Sequence, residues 1–118
     1  MKNFTEELEK LLTIYCKKND IQYKQGMNEI MGPFLFLKNI LNLSLSRIYN
    51  LYSAFIFKFL TNYYHEEEFF SLQSSLALLK LLIKYHEPQI SNSLDHGLIT
   101  PAMYATSWVL TIFAKYSI

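Results

Sequence analysis

Apolar residues recur from Phe4 through Leu8, Leu11 and Leu12 to Tyr15 at the spacing of one helical face. Asn3 is placed to cap this helix. Glu6 and Glu7 lie in its first turn and Lys17 and Lys18 in its last, so charge matches the helix dipole at both ends and the helix should stop near Asn19-Asp20. A second helix is expected from Met27 to about Asn39. A break is expected at Gly32-Pro33, because proline lacks the backbone donor and its ring crowds the preceding turn.

Between Ser46 and Tyr63, the residues Ile48, Tyr52, Phe55, Ile56, Phe59 and Tyr63 keep the helical period, while Leu51, Ala54 and Phe57 fill the other faces. A helix apolar nearly all round is expected to be buried on most sides. His65 to Glu68 reads as a polar loop or as the acidic first turn of the next helix, Phe69 to His86, whose stripe is Phe69, Leu72, Leu76, Leu79 and Ile83. Pro88 suits the first position of a short helix carrying Ile90 and Leu94, and Gly97 suits its end. Thr100-Pro101 is a cap and first-turn pair for a last helix, reaching Ala114, in which Tyr104, Trp108 and Ile112 share a face.

Composition supports the helical reading. Leucine is abundant and Val109 is the only valine, whereas sheets select β-branched side chains. The expected class is all-α, a layered multi-helix bundle with orthogonal crossings, forming one unit over residues 1–118 without internal repeats. Gly97 to Ala114 carries no charged residue, a length close to a membrane span. It also holds Pro101 and the hydroxyls of Thr100, Thr106, Ser107 and Thr111, so a buried soluble helix is expected, with Trp108 packed on the Ser46–Tyr63 or the Phe69–His86 helix. Met1 leads into polar and acidic residues and does not read as a signal peptide. The single cysteine, Cys16, forms no internal disulfide and fits a reducing compartment.

Charge and spacing narrow the chemistry. Eleven basic and ten acidic residues give a net charge of +1, and no basic run exceeds Lys17-Lys18, so there is no electrostatic footprint for nucleic acid. His65, His86 and His96 are far apart and Cys16 is alone, which gives no metal-ligand pattern. Ser74-Ser75 lacks a glycine elbow, and Gly26 and Gly32 do not form a phosphate-cradling loop. What remains is Tyr23-Lys24-Gln25-Gly26-Met27-Asn28. Here the glycine marks a turn or a close approach of two helices, and Gln25 and Asn28 are either caps or presented polar groups.

Tyr23-Lys24-Gln25-Gly26-Met27-Asn28-Glu29-Ile30, followed by Pro33-Phe34-Leu35, resembles the Tyr-x-Gln-Gly-Met motif of TBC domains, the GTPase-activating domains for Rab GTPases. The later block Ile99-Thr100-Pro101, Tyr104, Trp108 and Phe113-Ala114 is similar to the Ile-x-Pro-x-x-Tyr-x-x-x-Trp helix of the same family. The resemblance runs from about Phe4 to Phe113. It implies a chain that meets a GTP-bound Rab and supplies Gln25 as a glutamine finger, with Tyr23, Gly26, Met27 and Asn28 as partner-binding residues. An amide suits that role: its carbonyl accepts from the attacking water while its NH2 donates, without net charge. Gly26 would let the backbone approach the partner. The partner brings GTP and Mg²⁺, so no cofactor is expected on this chain. Peripheral membrane association would come through the partner, at a cytoplasmic location such as Golgi or endosomal membranes.

The resemblance also has departures. The family's arginine finger lies upstream in an Ile-x-x-Asp-x-x-Arg-Thr motif, and none of the 24 residues before Gln25 is an arginine. Arg47 matches no finger position, and such a finger contributes about 10³ to 10⁵ in rate. The family's Ile/Leu-Trp-Asp motif does not follow the Trp helix. The chain therefore reads as the N-terminal and central part of a TBC domain without the arginine motif and the C-terminal helices. An uncovered apolar face is expected to make it self-associate, through the Tyr104-Trp108-Ile112 helix. Tyr85-His86-Glu87-Pro88 and the block from Leu94 to Tyr116 resemble a divergent vesicle-tethering subgroup, so the alternative function is a non-catalytic scaffold in membrane trafficking.

Overall fold

Helix α1, Lys2–Asn19, buries Leu11, Leu12 and Tyr15 as its periodicity predicts. It begins before Asn3, which lies inside the helix and does not cap it. The computed structural model describes residues 2–66 and 69–116, and among these all regular structure is helical. Helix α2, Met27–Leu41, runs without interruption through Pro33, so the expected break is absent. An interior proline costs about 3 kcal/mol. Four buried side chains, Met27, Ile30, Met31 and Leu35, at about 1.5 to 3 kcal/mol each, outweigh it. The proline ring itself faces solvent.

Ser44 opens helix α3, Leu45–Phe59, its Oγ accepting from the Arg47 amide. The continuous helix expected to Tyr63 is divided at Leu60, and a single turn, α4, Thr61–Tyr64, follows. The division lets both Leu60 and Tyr64 reach the interior, where each is almost fully enclosed. The expectation that α3 is buried on most sides is also corrected. Ile48, Tyr52 and Ile56 are buried, but Leu51, Ala54, Phe57 and Phe59 are exposed, because α1, α2 and α4 cover only one side of it. Helices α1 to α4 close around one core, in which the rings of Tyr15 and Tyr52 meet edge to face with centroids 5.0 Å apart.

The second half starts at Glu66, whose carboxylate accepts from both the amide and the hydroxyl of Ser71 and so caps α5, Phe70–His86. Glu67 and Glu68, read with the polar loop, lie outside the described residues. Helix α6, Pro88–His96, has the proline in its first turn and ends at Gly97 as expected. The last predicted helix is two: α7, Pro101–Tyr104, and α8, Thr106–Thr111. The Thr106 and Thr111 hydroxyls bond carbonyls one turn back, a side-chain competition that loosens helical regularity. Ile112 and Phe113 then take positive φ, which turns Ile112 outward, away from the face of Tyr104 and Trp108. Leu72 and Leu76 of α5 form a second core with Ala105 and Leu110, against which half-buried Trp108 packs, so its partner is the Phe69–His86 helix of the two foreseen. No helix among the described residues is long and apolar enough to cross a membrane.

The two cores meet at Tyr63, which packs against both and shares a hydrogen bond of 2.8 Å with Ser75 of α5, and at a second, buried contact. The Tyr64 hydroxyl of α4 donates to the Leu110 carbonyl of α8, and Gly26, at φ 103°, lies against both. A Cβ on Gly26 would stand 3.1 Å from the Tyr64 Oη and 3.2 Å from the Thr111 Cγ2. Gly26→Ala is therefore expected to cost at least about 2 kcal/mol in urea unfolding, from strain at positive φ added to overpacking. A loss under about 0.5 kcal/mol would contradict this packing.

His65 adds a pH dependence. Its Nε2 lies 3.1 Å from the Tyr15 hydroxyl, and partial burial, then the nearby Lys24 charge, holds its pKa below the ordinary imidazole value. The folded state thus favours neutral His65 and binds fewer protons than the unfolded chain. Stability from this group is complete above the unfolded pKa, about 6.5, and is lost as pH falls toward the lower folded value. Between pH values of about 7.5 and 5, unfolding midpoints should fall further for the wild type than for His65→Gln.

Candidate functional site

The turn before α2 is held from beneath. The Met27 amide donates to the Lys24 carbonyl at 3.2 Å, and the Lys24 amide lies 3.5 Å from the Met27 sulfur. Met27 is fully buried, and its carbonyl accepts from the Tyr52 hydroxyl at 3.4 Å. The Ile30 amide donates to the Gly26 carbonyl and begins the helical ladder. On the outer side, the Lys24 ammonium donates to the Glu66 carbonyl and sits 4.6 Å from the Phe69 ring centroid. The backbone on both sides of Gln25 is therefore fixed while its side chain is exposed.

Neither amide is used as a cap, since α2 has no side-chain cap at Gly26. Tyr23, 53% exposed, donates from its hydroxyl to Asn28 Oδ1 at 2.9 Å and forms a rim beside Gln25. Gly26 and Met27, expected with them as partner-binding residues, are enclosed by the chain's own core. They form the footing of the turn. The structure thus brings Tyr23, Gln25 and Asn28 to the surface and places Gly26 and Met27 under them.

Gln25 stands at the mouth of a groove of about 320 Å³ between the start of α2 and helices α7 and α8, with Glu29, Tyr104, Ser107 and Lys115 in its walls. A second, mainly apolar groove of about 780 Å³ adjoins it along α2, lined by Gly32, Pro33 and Phe36 with Phe4 opposite. Glu29 and Lys115 belong to both grooves. One Glu29 oxygen is buried without a hydrogen-bond partner. Arg47 is exposed at the start of α3 and lines neither groove.

Burial above all, then the Glu29 charge, pushes the Tyr64 phenol well above its usual range, and burial does the same to Tyr52. Both remain hydrogen-bond donors near neutral pH. Partial burial also raises the Cys16 thiol. Among the described residues no group of three His, Cys, Asp or Glu side chains is arranged to hold a metal ion. Sequence reasoning missed Tyr64, Thr111, Glu29 and Lys115. The helical period pointed to Tyr63, but the division at Leu60 turns Tyr64 fully inward and leaves Tyr63 half-buried.

The Rab-GTPase-TBC domain family model matches residues 2–118. TBC domain-containing protein kinase-like proteins of Gallus gallus and Homo sapiens are each 36% identical over 94 residues, covering 80% of this chain and 10% of theirs. The protein of that name from Dictyostelium discoideum is 27% identical over 92 residues, covering 78% of this chain and 9% of its own. The chain thus spans about a tenth of the length of the curated relatives it matches. With the match extending over the whole of its helical architecture, this chain belongs to the Rab-GTPase-TBC domain family.

Proposed function

We propose that the chain acts on a GTP-bound Rab-family GTPase and presents Gln25 to the partner's nucleotide site. The observation that carries this reading is the free amide of Gln25 on a turn whose neighbours are anchored at Gly26, Met27 and Lys24. Catalysis of GTP hydrolysis is chiefly positioning and electrostatic stabilisation, so a group supplied in trans gains from such a footing. Exposed Tyr23 and half-buried Asn28 form the rim that the partner touches. GTP and Mg²⁺ come with the partner, which would also bring the chain to the cytoplasmic face of Golgi or endosomal membranes.

A second reading is a non-catalytic scaffold in trafficking. The position of Arg47 favours it, since no arginine lines the grooves beside Gln25. Single-turnover GTP hydrolysis by a panel of GTP-loaded Rab proteins separates the two. The parent protein should accelerate one of them, and Gln25→Ala in it should reduce that acceleration by about 10²-fold or more, with binding and melting temperature unchanged, whereas this chain alone, without an arginine finger, should bind with little acceleration. Binding without acceleration by the parent protein would favour the scaffold. Unchanged acceleration with a stability loss above about 1 kcal/mol would make Gln25 a structural residue.

A further inference from the structure

Helix α5 has two apolar faces. Leu72 and Leu76 face the core of the second half. Centred about 160° around the helix, by its 3.6-residue turn, lie Phe70, Leu78, Leu81, Leu82 and Tyr85, with Ser74 and Ala77 between them. All seven are exposed, Leu81 by 64% and Tyr85 by 82%, and none carries charge. The basic residues of the helix lie to the side, where Lys80 pairs with Asp95 of α6 at 3.7 Å. A solvated helix face over this length ordinarily carries charge.

The surface of the whole chain shows how much is uncovered. It exposes 8448 Å², whereas a folded monomer of this mass exposes roughly 6,700 Å². Its radius of gyration is 16.9 Å against an expected value of about 13.5 Å. The excess, roughly 1,700 Å², is more than the roughly 800 Å² that each partner contributes to a stable interface.

We propose that the Phe70–Tyr85 face of α5 is a self-association surface, occupied by the same face of a second copy in an antiparallel two-fold pair. Leu78, Leu81, Leu82 and Tyr85 follow the spacing of interlocking helix seams, and a two-fold axis near Leu78, the middle of the Phe70–Tyr85 face, sets that whole face against itself. Antiparallel packing also opposes the two helix dipoles favourably. A net charge of +1 leaves little repulsion between copies. This moves the contact from the Tyr104-Trp108-Ile112 segment, because Trp108 is already packed between the Tyr104 and Phe113 rings above the α5 core. The pairing is independent of the reading of Gln25.

Sedimentation equilibrium of the 118-residue chain at micromolar concentration tests it, with circular dichroism to confirm that each variant is folded. The wild type should form a species of twice the 14.0 kDa chain mass. Leu81→Glu combined with Tyr85→Glu should weaken association about tenfold or more. Phe36→Glu, on the exposed face of α2, should leave the pair intact, and Leu78→Cys in a Cys16→Ser background should cross-link it on mild oxidation. A monomeric wild type would overturn the proposal and assign the seam to a flanking segment or another protein. Association unchanged by the α5 variant, or abolished by Phe36→Glu, would overturn it too. So would a dimer that Leu78→Cys fails to cross-link.

Discussion

The Tyr64 hydroxyl on the Leu110 carbonyl, closed over Gly26, is the buried polar contact that ties the Gln25 turn to both halves. A buried phenol must find an acceptor, and this one finds it in the other core. Because Tyr64 and Thr111 lie so close to Gly26, a side chain there would fit only if they gave way. Positive φ at that glycine then turns the chain from an extended loop into α2, so that Met27 points inward and Gln25 points out. Stability and presentation of the amide therefore share one cause.

The same economy explains the exposed apolar surface. The two cores lie along a molecule of 49 × 29 × 22 Å, so each helix is covered mainly on the side that faces its own core. Apolar side chains on the other sides of α2, α3 and α5 remain in solvent. Exposed patches beyond a few hundred Å² ordinarily mark contacts. In this chain they include the grooves at α2, continuous with the Gln25 turn, the outer face of α3 with Leu51, Phe57 and Phe59, and the α5 seam, which lies away from the packing face of α8.

Much of the fold was legible because most of it is local. The stripe from Leu8 to Tyr15, the Leu72-Leu76 pair and the Pro88 and Gly97 signals each found their elements. Errors arose where tertiary packing overruled local preference: α2 continuing through Pro33, the bend at Leu60 and the division at Ala105. Periodicity also cannot say how many neighbours a helix has, which is why α3 is more exposed than its composition suggested. At the site, the motif pointed to the turn. The roles of Gly26 and Met27 inside the chain depended on Tyr64 and Leu110, a pair 46 residues apart with no local signature.

The central claim is that a rigid footing presents an amide at a fixed reach. Replacing Gln25 by asparagine keeps the amide and the exposed position but withdraws it by one methylene. The direct measurement is single-turnover GTP hydrolysis by the responsive GTP-loaded Rab with Gln25→Asn in the parent protein, together with its binding affinity and melting temperature. The account predicts that acceleration falls nearly as far as when the side chain is truncated to alanine, while affinity and melting temperature stay at wild-type values. Acceleration equal to that of the wild-type parent protein would contradict it, because a turn able to move forward and restore the lost reach is not a rigid footing.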